Sequence, residues 1–182
     1  MISHCRRIGP ALMITAVTAA GCSVAPVQEN EAASTVRICE VLENPIAFDR
    51  SLIRISGLVV RDFETFWIQG SGCPKAQPLW IEYGGPKPAD GPIWHDPPTG
   101  EGGPLVVGGI TTYLETNVVF RRFDATTKAL KRGRRARATL VGRVFATGVY
   151  IDDDGEEQEI GFGPYGMYSL FVVQKVESVS QP

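Results

Sequence analysis

Residues 121–137 read RRFDATTKALKRGRRAR, and eight of these 17 positions are lysine or arginine. Arg121, Arg122, Lys128, Lys131, Arg132, Arg134, Arg135 and Arg137 form the one strong concentration of charge in the chain. Such a cluster attracts polyanions, because each neutralised phosphate releases condensed counterions. It equally suits a solvated helix face running into the flank of a strand. The chemistry it offers is electrostatic attraction to an anionic polymer, surface or envelope partner, with no bond made or broken.

Three further constellations invite a chemical reading and do not sustain one. YIDDDGEEQEI, residues 150–160, gathers Asp152, Asp153, Asp154, Glu156, Glu157 and Glu159. An EF-hand-type calcium loop needs alternating carboxylates, a glycine at the sixth position and a glutamate at the twelfth. This run is shorter and its glycine is misplaced, so Asp154-Gly155 is predicted to turn a hairpin. GFGPYG, Gly161 to Gly166, matches the dinucleotide fingerprint letter for letter. That fingerprint works only between a strand and a helix N-terminus; here Pro164 interrupts it and strand-like sequence follows, so a glycine turn is predicted. His95, beside Asp96 in PIWHDPP, is the sole histidine beyond residue 21. A catalytic triad needs its base held by a rigid scaffold, and a proline-rich loop is a poor one. No catalytic set, metal site or cofactor site is expected, and the protein is not expected to be an enzyme.

The four cysteines divide by position. The chain opens MISHCRRIGPALMITAVTAAGCS, with Arg6 and Arg7 ahead of about thirteen apolar or small residues. That run is too short to cross a bilayer, which takes roughly 20 residues, and it has the size of a signal-peptide apolar region. Ala19-Ala20-Gly21-Cys22 resembles the lipobox of bacterial lipoproteins, with Ala19 where leucine is usual. The resemblance implies that Cys22 carries the lipid (palmitate among its chains) and becomes the N-terminus. It also implies a cell-envelope location, and Ser23 resembles the default for sorting to the outer membrane, facing the periplasm. The alternative is a secreted protein cut near Ala20. Residues 1–21 are thus expected to be a signal peptide and 22–34 a flexible tether.

Loss of Arg6 and Arg7 leaves 16 basic against 20 acidic residues, a net charge of −4. No global basic excess points to nucleic acid. Cys5 leaves with the leader, so Cys39 and Cys73 remain as an even pair in an oxidising setting. A disulfide is the favoured reading. Buried free thiols are the alternative, while a metal site would have only His95 to draw on and no CxxC spacing.

These features must sit on a scaffold. STVRICEVLENP, residues 34–45, is expected to form a short helix capped by Ser34 or Thr35, burying Ile38, Val41 and Leu42 and stopped at Pro45. SLIRISGLVVRDF reads as a strand that changes phase at Gly57, through a bulge or bend. TFWIQG and LWIEYG form an aromatic-rich hairpin around the GCP turn. ARATLVGRVFATGVYI repeats the interior-glycine device at Gly142. MYSLFVVQKVESV closes the chain with Tyr168, Leu170, Val172 and Val176 on one parity. Trp67, Trp80 and Phe66 could stack nucleobases, but read better as core.

Five strands, three then two, predict a small five-stranded OB-like Greek-key barrel, mainly β, spanning residues 35–180. The order of cysteine-bearing helix, glycine-interrupted strand and GCP hairpin also resembles small bacterial lipoproteins with OB-like barrels, over residues 36–83 and 137–179. The resemblance implies fold and compartment, and no activity. Residues 84–135 form an insertion: a Gly/Pro-rich loop from Tyr83 to Pro104, then LVVGGITTYLETNVVFRRF as an added β ribbon. DATTKALKRG is then expected as a short helix capped by Asp124 and ended at Gly133. The function expected is a membrane-anchored, non-catalytic binding or structural module; the alternative is a secreted OB-fold protein that binds polyanions or oligonucleotides.

Overall fold

The structure is a computed structural model, and it describes residues 31–62, 65–73, 76–84, 103–151 and 154–181. Cys22, the leader, His95 with Asp96, Trp94, Asp152 and Asp153 lie outside the described residues.

Among the described residues, ten strands and two α-helices follow in the order β1 (Ser34–Thr35), α1 (Ile38–Glu43), β2 (Leu52–Asp62), β3 (Thr65–Gln69), β4 (Leu79–Glu82), β5 (Leu105–Val107), β6 (Ile110–Thr112), α2 (Val118–Lys128), β7 (Ala136–Phe145), β8 (Gly148–Ile151), β9 (Glu157–Ile160) and β10 (Leu170–Ser180). The main sheet runs β1-β2-β3-β4-β10-β7, and β7 pairs back onto β2 to close a barrel of five strands. All pairings within the barrel are antiparallel except β4 with β10. Three sequential strands, a helix, and two strands of which the last sits between the third and fourth constitute the OB-like arrangement that the strand count predicted.

Binary patterning explains the interior. Ile53, Ile55, Val59, Phe66, Ile68, Leu79, Ile81, Leu140 and Phe171 take alternate positions on their strands and point into one core, joined by Ile38, Val41 and Leu42 of α1 and Phe120 and Phe123 of α2. A second apolar cluster lies on the other face of β4 and β10. There Trp80, Leu170 and Val172 pack under Leu105 and Val107 of the β5–β6 hairpin and under Phe162. Both faces of β10 are therefore buried at its start.

Several expectations are corrected. Gly57 does not mark a change of phase, because β2 pairs with β7 and β3 in unbroken register and buries Ile53, Ile55, Gly57, Val59 and Arg61 in strict alternation. A Cβ there would lie 2.7 Å from both Ile38 and Ile68, so the glycine serves close packing. Gly142 is likewise pressed against the Phe171 ring. The irregularities fall instead in β10, whose register with β7 shifts between Val173 and Lys175 and again between Val176 and Ser178. For that reason Leu170 and Val172 face the second cluster while Val176 faces the first, and a single parity does not hold. Ser34 and Thr35 are not a helix cap: they form β1, parallel to Ile53–Arg54, and α1 begins after Arg37 with no side-chain cap.

The expected ribbon exists only as far as Thr112. Gly108 and Gly109, both with positive φ, turn the β5–β6 hairpin, the conformation that two-residue hairpin turns demand. VVFRRF belongs to α2, which starts six residues before Asp124; Asn117 caps it by accepting the Phe120 N–H at 2.9 Å. Asp154 and Gly155 do turn the β8–β9 hairpin. GFGPYG is a turn followed by β10, with Gly163, Tyr165 and Gly166 at positive φ.

Cys39 and Cys73, 34 positions apart in sequence, form a disulfide with Cα atoms 5.5 Å apart. It ties α1 to the β3–β4 connection.

Candidate functional site

The basic residues meet at one end of the barrel because α2 is held there by a buried polar network. Arg61 occupies the last inward position of β2, following Ile53, Ile55, Gly57 and Val59, and is only 7% exposed. A buried guanidinium is tolerated only when its donors are used. Arg61 Nη1 donates to Tyr83 Oη at 3.1 Å and to Asp124 Oδ1 at 3.0 Å, and its guanidinium stacks over the Phe66 ring at 4.6 Å. Tyr83 Oη donates to the same carboxylate oxygen at 2.7 Å, and Lys128 Nζ reaches Asp124 Oδ2 at 2.7 Å. Burial works against the Asp124 carboxylate, but donors from Lys128, Tyr83 and Arg61 offset it and hold its carboxyl below the usual range. Burial likewise raises the Tyr83 hydroxyl. Asp124 is thus a clamp between helix and barrel.

With Phe120, Phe123 and Thr127 buried against the core, helical spacing puts Val118, Arg121, Arg122, Ala125 and Lys128 on the solvent side. Lys131, Arg132, Arg134 and Arg135 follow in the connection to β7, and Arg137 is outward on β7. All eight basic side chains are exposed. Of these, Lys128 alone has a carboxylate partner among the described residues. Asp124 is the sole acidic residue between Glu115 and Asp152. The opposite end of β7 leads into the β8–β9 hairpin. Nine residue steps at about 3.3 Å give roughly 30 Å between the ends of β7.

Two grooves lie elsewhere. One, of about 690 Å³, is lined by Leu42, Cys73, Leu79, Ala146, Met167 and Tyr168 among others, with Glu43 its sole carboxylate among the described residues. A second, of about 510 Å³, runs beside α1 and includes Arg37, Glu40, Arg54 and Ser56. None of the eight basic residues lines either groove. No group of three metal-ligating side chains converges among the described residues.

The aromatic candidates are committed to packing. Phe66 is fully buried, Trp80 is 7% exposed, and Trp67 and Trp80 both pack against Tyr168 with centroids 5.9 Å apart. The GFGPYG turn and the β5–β6 hairpin cover the strand face that OB barrels commonly use for ligands. Beneath them Glu82, 6% exposed, accepts the Trp80 Nε1 hydrogen at 2.9 Å. Its burial, opposed by that bond and by the charge of Arg61, pushes its carboxyl up to about 8.

Arg61, Tyr83, Asp124 and Glu82 were missed as a functional set by sequence reasoning. The signal for Arg61 was present: it holds the inward parity of β2, where a charge demands a buried partner. The chain matches no family model, no curated protein and no solved structure in comparisons with known proteins. The class of protein is therefore defined by the fold alone, a closed OB-like barrel braced by one disulfide.

Proposed function

We propose that the protein is an exported, membrane-anchored bacterial lipoprotein whose OB-like barrel acts as a non-catalytic binding or structural module of the cell envelope. The observation that carries this reading is the Cys39–Cys73 disulfide. Such bonds persist in oxidising compartments, and this one uses the two cysteines beyond Cys22, leaving Cys22 for lipid. The apolar leader with its lipobox-like end supplies the route and the anchor. One acyl chain binds only marginally, whereas several on one residue hold firmly.

Phe66 and Trp80 are buried and Trp67 is half-buried against Tyr168, so the oligonucleotide alternative draws no support from them. The exposed basic end keeps the secreted polyanion-binding reading as the second one. Expression of a tagged precursor with and without globomycin, followed by membrane fractionation, separates the two. The lipoprotein reading expects a membrane-bound product and accumulation of precursor under the inhibitor. A soluble product that ignores the inhibitor would overturn it.

A further inference from the structure

The basic end of the barrel carries seven exposed cations with no carboxylate partner among the described residues. We propose that this end is a docking surface for a bilayer of anionic phospholipid, laying α2 and the α2–β7 connection against the headgroups. The inference rests on the membrane-anchored reading above.

Four observations converge on it. First, the charge is uncompensated from within: Asp124, the sole carboxylate between Glu115 and Asp152, is already shared by Lys128, Tyr83 and Arg61. Second, the cations sit on an outward helix face and connection, outside the two grooves described above. A single-stranded polymer is held by a charged groove that tracks its backbone, whereas an outward helix face and loop present charge to a surface. Third, Val118, 69% exposed, sits on the same face of α2 as Arg121 and Arg122. An apolar side chain among cations suits the headgroup boundary. Fourth, the β8–β9 hairpin, which carries Asp154, Glu156 and Glu159, follows the opposite end of β7 in the chain, so these carboxylates do not arise from the segment that bears the cations.

The covalent reach is compatible. Glu31 pairs with Arg143 at 2.6 Å, and Arg143 lies six residues along β7 from Arg137, about 20 Å away. Nine residue steps lead from Cys22 to Glu31, a maximal span of roughly 30 Å. Anchor and docking surface can therefore engage the same membrane.

The test uses the full-length chain carrying Cys22→Ser, so that binding is read without a lipid and failure of the anchor is a separate result. Co-sedimentation is measured with vesicles of phosphatidylcholine alone and of an equal mixture with phosphatidylglycerol, at low and high salt. The same chain is then measured with R121Q, R122Q, R132Q and R135Q added, its fold checked by circular dichroism. Each neutralised cation is worth about five-fold in partitioning. The expected result is binding that depends on phosphatidylglycerol, weakens with salt and falls by roughly a hundred-fold or more in the quadruple variant. Equal binding to both vesicles, or binding untouched by the four substitutions, would overturn the proposal. Tighter binding to soluble heparin than to the mixed vesicles would also overturn it, in favour of a polymer.

Discussion

At the residue scale, two carboxyl groups have opposite consequences for stability. Glu82 binds its proton more tightly in the fold than in the unfolded chain, because burial raises its carboxyl from 4.5 to about 8. Its stabilising contribution is fully present below pH about 4.5 and is lost as pH rises through 8. Between pH 5 and 9 this single group should cost roughly 2–4 kcal/mol. Glu82→Gln keeps an acceptor for the Trp80 indole and removes the titration, so urea midpoints of variant and wild type should diverge as pH rises, with the variant the more stable near pH 9. Asp124 behaves in the opposite sense: its lowered carboxyl gives stability above the unfolded value that is lost as pH falls through the folded one. Arg61→Met should cost about 2 kcal/mol, since Tyr83 and Lys128 still serve Asp124 while one buried donor set disappears. Adding Asp124→Asn should cost less than the sum of the two single changes, measured by a double-mutant cycle in urea.

At the element scale, the disulfide closes 34 residues and should contribute about 3–4 kcal/mol on the chain-entropy account. Cys39→Ser with Cys73→Ser should therefore lower Tm by roughly 8–15 °C, read by calorimetry against the oxidised wild type. Asn117→Ala should cost about 1 kcal/mol by leaving the Phe120 N–H without its cap. The barrel strands were legible because alternation of apolar residues fixes which face is inward. The cysteine pair was legible by count. The start of α2 was not: Val118, Val119 and Phe120 are β-favouring residues, and the core contacts of Phe120 and Phe123 override that propensity. Nor were the bulges in β10, since an inserted residue leaves no mark in composition and yet reverses parity. One of them has a use: Glu177, the extra residue of the second bulge, receives a bidentate pair from Arg54 at 2.8 and 2.9 Å. The second apolar cluster was hinted at by Leu170-Phe171-Val172-Val173, an unbroken apolar run that needs cover on both faces.

At the scale of the whole molecule, the candidate site was legible as composition and not as geometry. The run 121–137 announced its charge, but Arg61 and Tyr83, which seat α2 so that the charge faces outward, lie far from it in sequence. In the reading proposed here, the barrel is a rigid body braced by one disulfide, with a basic end for an anionic surface and a lipid at Cys22 for permanence. Reducing the anchor to a single acyl chain should leave it dependent on the basic end, and therefore sensitive to salt. Lipid attachment at Cys22 is tested most directly by mass spectrometry of the N-terminal peptide from protein extracted from membranes. The mature chain is expected to begin at Cys22 and to carry the added mass of its acyl chains, with none on a Cys22→Ser variant. A mature chain that begins elsewhere, or an unmodified Cys22, would contradict it.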